Sequence, residues 1–201
     1  MGQCSRRYSP GDRAYLLFVA SKVSLSLRIP GMRKPRELHD GGLYHVTARA
    51  NRKEMILDNR GMKDLFLQVV ARARKRYDFR IENFALMGNH FHLMIRPGRR
   101  ESLSRIMQWI LSVFAMAYNR IHGYVGHVWG ERFFSRIIRT FAQFLMVFEY
   151  IDRNPVEAKQ VDQVWEWEYG GLWHRRTGRR DPPGTELSLV KARLDSPRPV
   201  P

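Results

Sequence analysis

Residues 88–97 read Gly-Asn-His-Phe-His-Leu-Met-Ile-Arg-Pro, and polar and apolar side chains alternate along this segment. Such alternation predicts a half-buried β-strand, because successive side chains of a strand point to opposite faces. Gly88 opens a two-residue turn of the hairpin kind, so a second strand over 79–87 should run back along the first. The imidazoles of His90 and His92 then lie side by side on one face, while the apolar residues face a core.

The rest of the central segment carries helical and strand patterns in a regular order. Apolar residues recur every three or four positions over two long segments, and shorter strand-like runs surround them. The predicted order is strand, helix, strand, strand, helix, strand, over 43–50, 60–77, 79–87, 90–96, 102–122 and 132–139. This split β-α-β-β-α-β order is typical of an α+β fold of the ferredoxin-like or RRM-like kind, in which helices cover one face of an antiparallel sheet.

The first predicted strand also has one polar face. His45, Thr47 and Arg49 share that face, and the apolar residues between them share the other. We place the polar set beside His90, because the opposite choice would bury Arg49 under the helices.

A further helix is predicted after the last strand. It should begin after Thr140, which has capping-box spacing with Gln143, and stop before Pro155, because proline disfavours helical geometry at the residue before it. Its apolar stripe is predicted to comprise Phe141, Phe144, Leu145, Phe148 and Ile151.

Tyr150 and Asn154 are four residues apart, so they are neighbours on this helix if its last turn holds. Asn154 precedes proline, and we expect it at the helix end, where its amide oxygen can turn toward a ligand. A phenol and an amide oxygen beside two imidazoles form a chemically coherent set for phosphoryl transfer with a metal ion. From the pattern alone, a boundary tyrosine, a helix C-cap and an exposed His-x-His strand explain the same residues.

The charge balance favours a polyanionic partner. The chain has 35 Lys and Arg against 19 Asp and Glu, a net charge of +16, and most of the basic residues are arginines, which suit phosphate. Nucleic acid is the first partner to expect and an anionic membrane surface the second, while a solvated basic surface without a dedicated ligand is the third possibility. A single cysteine, Cys4, excludes an internal disulfide or thiolate metal cluster, and no apolar run is long enough to cross a bilayer. The single cysteine fits a reducing compartment, so we expect a cytoplasmic protein, and of the two polyanionic partners we expect nucleic acid and no membrane.

The two ends differ from the centre. Residues 1–38 are interrupted by proline and glycine without a persistent period, which predicts an irregular N-terminal extension. Residues 39–174 are predicted to form a single domain. Residues 175–201 are basic and rich in proline, which predicts a tail.

Five segments share a pattern with one known family. They are Gly-Leu-Tyr-His-Val-Thr-Ala-Arg-Ala-Asn-Arg (42–52), Met-Gly-Asn-His-Phe-His-Leu (87–93), Tyr-Asn-Arg-Ile-His-Gly-Tyr-Val-Gly-His-Val-Trp (118–129), Arg-Phe (132–133) and Tyr-Ile-Asp-Arg-Asn-Pro-Val (150–156). From about Gly42 to Trp173 the chain resembles the IS200-like, REP-associated tyrosine transposases, which are single-tyrosine members of the HUH nuclease superfamily.

The resemblance implies an enzyme of DNA transposition. It makes Tyr150 the nucleophile, and it makes His90, His92 and Asn154 the ligands of a divalent metal, Mg²⁺ or Mn²⁺. Family members cut single-stranded DNA next to hairpins of palindromic repeats, leave a 5′-phosphotyrosine and a free 3′-hydroxyl, and then rejoin the ends. The implied partner is single-stranded or hairpin DNA of a bacterial nucleoid, bound by a monomer or a homodimer.

Several side chains near the predicted histidine face are expected to contact this DNA, the arginines through phosphate and the aromatic residue through base stacking. They are Arg49, Arg52, Arg96, Trp129, Arg132, Arg136 and Arg139. Tyr124 is a further stacking candidate. Two other functions fit the same residues: a non-catalytic, RRM-like module that binds nucleic acid, and a metal-dependent RNA endonuclease that uses water.

Overall fold

The computed structural model describes residues 39–178, and the predicted N-terminal extension lies outside them. Four antiparallel strands form one sheet in the order β2-β3-β1-β4. The strands are β1 Leu43–Arg49, β2 Phe79–Leu86, β3 His90–Pro97 and β4 Phe134–Ile138; the helices are α1 Arg60–Arg74, α2 Leu103–His122, α3 Phe141–Glu157 and α4 Gly171–Thr177. The predicted split β-α-β-β-α-β order and the additional helix α3 are confirmed, and α4 completes the fold.

The central hairpin and the register of β1 also agree with the predictions. The turn closes with a hydrogen bond of 2.9 Å from the Met87 amide to the His90 carbonyl. In the pairing of β1 with β3, Arg49 lies opposite His90 and Thr47 opposite His92. Directly opposed residues of an antiparallel pair share a face, so the polar face of β1 adjoins the histidines.

Helices α1 and α2 cover the other face of the sheet and form the main core with it. Phe66 of α1 lies between Phe91 of β3 and Phe114 of α2, with ring centroids 4.8 and 5.5 Å away. All three are fully buried, and burial of each such side chain stabilises the fold by about 1.5–3 kcal/mol. Asn59 and Ser102 cap the two helices by accepting hydrogen bonds from backbone amides of the first turn.

Helix α3 covers part of the histidine face and forms a second, smaller core there. Each of the four strands contributes one buried residue to this core, the turn after β2 contributes one, and α3 contributes three. They are Leu43, Ala85, Met94 and Ile138 of the strands, Met87 of the turn, and Phe144, Val147 and Ile151 of α3. The histidines therefore lie where a hydrophobic layer ends, and they are partly enclosed by the helix that carries Tyr150.

Two predictions about α3 are wrong. The helix does not stop before Pro155 but continues to Glu157, because burial of Asn154 and Pro155 offsets the missing N–H of proline. Its buried stripe also differs, since Phe141 and Leu145 are about half exposed, whereas Val147 and Asn154 are buried. The capping box between Thr140 and Gln143 is present as predicted, and it fixes the start of the helix.

Helix α4 extends past residue 175, where the tail was predicted to begin. It approaches β2 closely at Gly171, where a Cβ atom would lie 2.1 Å from the side-chain oxygen of Asn83. The folded part therefore includes Arg175, and residues 179–201 of the predicted tail lie outside the described residues. None of the helices between residues 39 and 178 combines the length and apolar character that a membrane crossing requires.

Candidate active site

Strand β3 presents the two predicted metal ligands on one face. The ring centroids of His90 and His92 lie 5.1 Å apart with the ring planes at 83°. His90 is half-buried, whereas His92 is 5% exposed, because α3 covers the strand more completely at His92. Phe91 between them points into the main core, so packing fixes the orientation of both imidazoles.

Helix α3 brings the other two predicted residues to the histidines. The Tyr150 ring meets His92 edge to face, with centroids 5.4 Å apart and planes at 88°. Asn154 lies one turn further along, and its side chain hydrogen bonds to the His90 ring. Because α3 stays helical through Pro155, Asn154 remains on the same face as Tyr150. The structure thus brings all four predicted site residues together.

A third histidine, His45 of β1, completes the cluster. Its Nε2 lies 3.0 Å from Nδ1 of His92, and its ring is 6.0 Å from that of Tyr150. The alternation in β1 predicted the correct face for His45 but indicated no role for it. The available clue was the alternation of side chains in β1, which puts His45 on the same face as Thr47 and Arg49. In the observed pairing His45 lies opposite Met94 and is therefore the diagonal neighbour of His92.

Burial keeps all three imidazoles neutral near pH 7. It lowers the pKa of His45 to about 4, with a smaller contribution from the positive charge of Arg136. It likewise lowers the pKa of His90 to about 4, helped by the positive charge of Arg49 and opposed by the hydrogen bond between the His90 ring and Asn154. The pKa of His92 is lowered well below its ordinary value, chiefly by burial. Neutral imidazole is the form that binds metal ions.

The donor atoms present suit a divalent cation. Nε2 of His92 is buried and has no hydrogen-bond partner among residues 39–178, which costs about 1–3 kcal/mol unless a ligand satisfies it. Within the same residues no group of three His, Cys, Asp or Glu side chains has the arrangement to hold a metal ion by itself, so a cation would need an amide oxygen as well. The ring nitrogens of His90 and His92 and the amide oxygen of Asn154 are donor atoms of the kinds that divalent cations bind in proteins.

A hydrogen-bonded clamp fixes α3 on the sheet. Asn83 of β2 donates to the Phe148 carbonyl at 3.0 Å and to Asp152 at 2.9 Å. Arg175 of α4 donates to Asp152 at 2.7 Å and to Asn83 at 2.9 Å. Asp152 lies two residues after Tyr150, so these bonds set the height and rotation of the helix turn that carries the phenol. This clamp was not predictable from sequence patterns, because its members are far apart in the chain.

Comparison with known proteins identifies the family. A sequence model described as "Transposase IS200 like" matches residues 40–154, which include all four predicted site residues. The chain belongs to the IS200-like transposase family. The family predicted from sequence is confirmed, and with it the general activity of a transposase. A search of curated protein sequences gives no match.

Two solved structures resemble the transposase. The fold is similar to that of a REP-associated tyrosine transposase bound to a REP hairpin, with a TM-score of 0.63 and 21% identity over 74% of this chain and 86% of that one. A putative transposase from Deinococcus radiodurans gives a TM-score of 0.41 and 13% identity over 61% of this chain and 97% of that one.

Several predicted DNA-contacting arginines of the transposase lie around the site. Arg49 is exposed beside His90, and Arg136 of β4 lies opposite His45. Arg52 follows β1 in a left-handed backbone conformation and is exposed. The remaining two are exposed at the ends of β4: Arg132 and Arg139. The sheet edge near the histidines is therefore cationic.

Two other predicted contacts are engaged within the protein. Arg96 donates to the Gly41 carbonyl at 3.0 Å and lies 3.6 Å from the buried carboxylate of Glu82. Trp129 donates from its indole N–H to the Leu111 carbonyl at 3.0 Å and is half-buried in the helix-covered core. It also lines a cavity of about 470 Å³ between α2 and the loop before β4, on the layer opposite the histidines.

One exposed aromatic residue on the histidine face was not among the predicted DNA contacts. Phe134 is 51% exposed and lies opposite Thr47, which itself lies opposite His92. An exposed phenylalanine in this position offers a flat apolar surface to a nucleobase. Tyr124, the stacking candidate named from the sequence, follows the C-terminus of α2 and stacks on His122.

Proposed function

We propose that this transposase cleaves and rejoins single-stranded DNA beside a hairpin, with Tyr150 as the nucleophile and a divalent cation held by His90, His92 and Asn154. One observation carries the proposal: the Tyr150 ring packs 5.4 Å from His92, and Asn154, one turn along the same helix, hydrogen bonds to His90. A phenol, two neutral imidazoles and an amide oxygen thus share one partly enclosed site.

The reaction is a transesterification at phosphorus. The Tyr150 oxygen forms a bond to the phosphorus as the bond to the 3′-oxygen breaks. The phenolic proton is lost to solvent, and the departing oxygen takes up a proton to become a 3′-hydroxyl. A divalent cation would supply charge stabilisation to a non-bridging phosphate oxygen. Attack of a 3′-hydroxyl on the phosphotyrosine reverses the step, so rejoining needs no external energy source.

The surroundings of the site suit an extended single strand. Arg49 and Arg136 flank the histidines and can neutralise phosphates on either side of the reacting one. Phe134 can stack on the face of an unpaired base. In a duplex that face is covered by the neighbouring base pairs. The REP hairpin bound by the similar transposase supports a hairpin as the neighbouring element of the substrate.

Covalent attachment tests the proposal. The protein is incubated with labelled hairpin oligonucleotides that carry single-stranded extensions, in Mn²⁺, and a denaturing gel is examined for a protein–DNA adduct. We expect an adduct from the wild type and none from Tyr150→Phe. Tyr77→Phe is the matched control, because Tyr77 packs against Trp109 on the helix layer, and it should form the adduct normally.

The metal ligands should separate cleavage from binding. His90→Ala should abolish the adduct and leave salt-sensitive DNA binding nearly unchanged, because arginines supply most of the phosphate contacts. Tight binding without an adduct from any substrate would instead support a non-catalytic binding module. Cleavage of RNA that survives in Tyr150→Phe would support an endonuclease that uses water.

A further inference from the structure

We propose that His45 is a positioning residue, which holds the His92 imidazole in the one tautomer and orientation that direct Nε2 of His92 at a metal ion. This inference rests on the proposed metal site and adds a function for a residue outside its ligand set. It is carried by the 3.0 Å contact between Nε2 of His45 and Nδ1 of His92 and by the absence of a partner for the other nitrogen of His92 among the described residues.

The contact has the geometry of a buried hydrogen bond. The two rings are nearly parallel, with 18° between their planes, and His45 and His92 are 3% and 5% exposed. A hydrogen bond between two ring nitrogens needs one N–H and one lone pair. If Nδ1 of His92 carries the proton and donates to His45, then Nε2 of His92 has a lone pair available for a cation.

The opposite arrangement is less favourable. If His92 carried its proton on Nε2, that N–H would be buried without an acceptor among residues 39–178. An unsatisfied buried donor costs about 1–3 kcal/mol. A buried lone pair at Nε2 is also without a partner, but a cation can satisfy it, whereas a buried N–H there cannot be satisfied by a cation. The contact with His45 therefore favours the tautomer that a metal ligand requires.

The second predicted ligand is held in a parallel way. Nδ1 of His90 lies 2.7 Å from the side-chain oxygen of Asn89, and the same ring hydrogen bonds to Asn154. Both imidazoles of β3 thus have Nδ1 engaged by a neighbouring side chain. Such outer partners are a regular feature of metal-binding histidines, and their loss weakens metal binding by about 10–100-fold.

His45 itself is poorly placed to be a third ligand. Its Nε2 faces His92, and Arg136 of β4 lies opposite it on the adjacent strand. A nitrogen that accepts a hydrogen bond from His92 has no lone pair left for a cation. The same atom therefore acts on the site through His92.

The test compares two substitutions that differ in hydrogen bonding. His45→Leu removes the acceptor, whereas His45→Gln retains a side-chain oxygen close to the position of Nε2. We measure the dissociation constant for Mn²⁺ without DNA, in the Tyr150→Phe background so that no cleavage occurs. We expect about 10–100-fold weaker binding in His45→Leu and a loss of only a few-fold in His45→Gln. His174→Leu is the matched control, because His174 is equally buried but packs on Phe84 away from the site.

A second measurement reports on the tautomer without metal. Nitrogen chemical shifts of the metal-free wild type should show His92 protonated at Nδ1, and this result needs no variant that folds. A proton found on Nε2 would overturn the inference, as would equal Mn²⁺ affinity of the wild type and a folded His45→Leu. Failure of the wild type to bind Mn²⁺ at all, with His92 protonated at Nδ1, would instead overturn the proposed metal site.

Discussion

At the scale of single residues, burial determines the charge of the histidine cluster. His45, His90 and His92 all have a lowered pKa, and in each case loss of hydration on burial is the largest cause. A neutral cluster binds a cation without first losing protons. The same burial makes folding sensitive to acid, because an unfolded chain protonates these rings more readily than the folded one.

The metal-free protein should become less stable between pH 7 and pH 5. In the unfolded chain His45 titrates near pH 6.5, and in the folded protein it stays neutral until about pH 4, so its contribution to stability is present above pH 6.5 and is lost as pH falls toward 4. The loss between pH 7 and pH 5 is about 2 kcal/mol for His45 alone. The groups that face it are Arg136 of β4, His92 of β3 and Tyr150 of α3.

Urea denaturation at several pH values with a chelator present measures this effect. The slope of the unfolding free energy against pH should be shallower in His45→Gln than in the wild type, because one titrating group has been removed. An equal slope in both proteins would show that His45 is not protonated on unfolding in this range.

At the scale of structural elements, α3 owes its position to the sheet and to α4. Asp152 accepts hydrogen bonds from both Asn83 and Arg175, and the Arg175 guanidinium also lies 4.5 Å from the Phe148 ring centroid. These contacts lie on the turns of α3 that hold Tyr150. A helix held only by its apolar stripe could slide or rotate, whereas directional bonds specify one register.

Asp152→Ala should destabilise the protein by about 3 kcal/mol and slow adduct formation, because it leaves Arg175 without its counter-charge in a site only 12–13% exposed. Glu149→Ala on the same helix is the control, since its ion pair with Arg153 is exposed and should matter by less than about 0.5 kcal/mol. Chemical denaturation measures both. Equal effects of the two substitutions would show that the clamp has no special role.

At the scale of the whole molecule, regular patterns were predictable and tertiary effects were not. The alternation of polar and apolar residues in β1 and β3 was enough to predict the hairpin and the two faces of the sheet, because alternation depends on local strand geometry. The passage of α3 through Pro155 was not predictable, because packing against the sheet decides it. The same holds for Arg175, whose partners lie on other elements.

The candidate site was only partly predictable for a related reason. Its four named residues came from a family resemblance and from spacing within single elements, and the structure brings them together. His45 and Phe134 were missed because their proximity depends on which strands are neighbours. Arg96 was predicted on the surface, but its salt bridge to Glu82 depends on an irregularity in β2 that no periodicity reveals.

Because one chain supplies both the histidine strand and the tyrosine helix, and clamps the helix at Asp152, two defective copies should be unable to rescue each other. A mixture of His90→Ala and Tyr150→Phe protein should remain as inactive in adduct formation as either variant alone. Restored activity in the mixture would mean that copies exchange α3, so that one intact set arises from two damaged polypeptides. This complementation experiment thus distinguishes an active site formed within one polypeptide from an active site shared between two subunits.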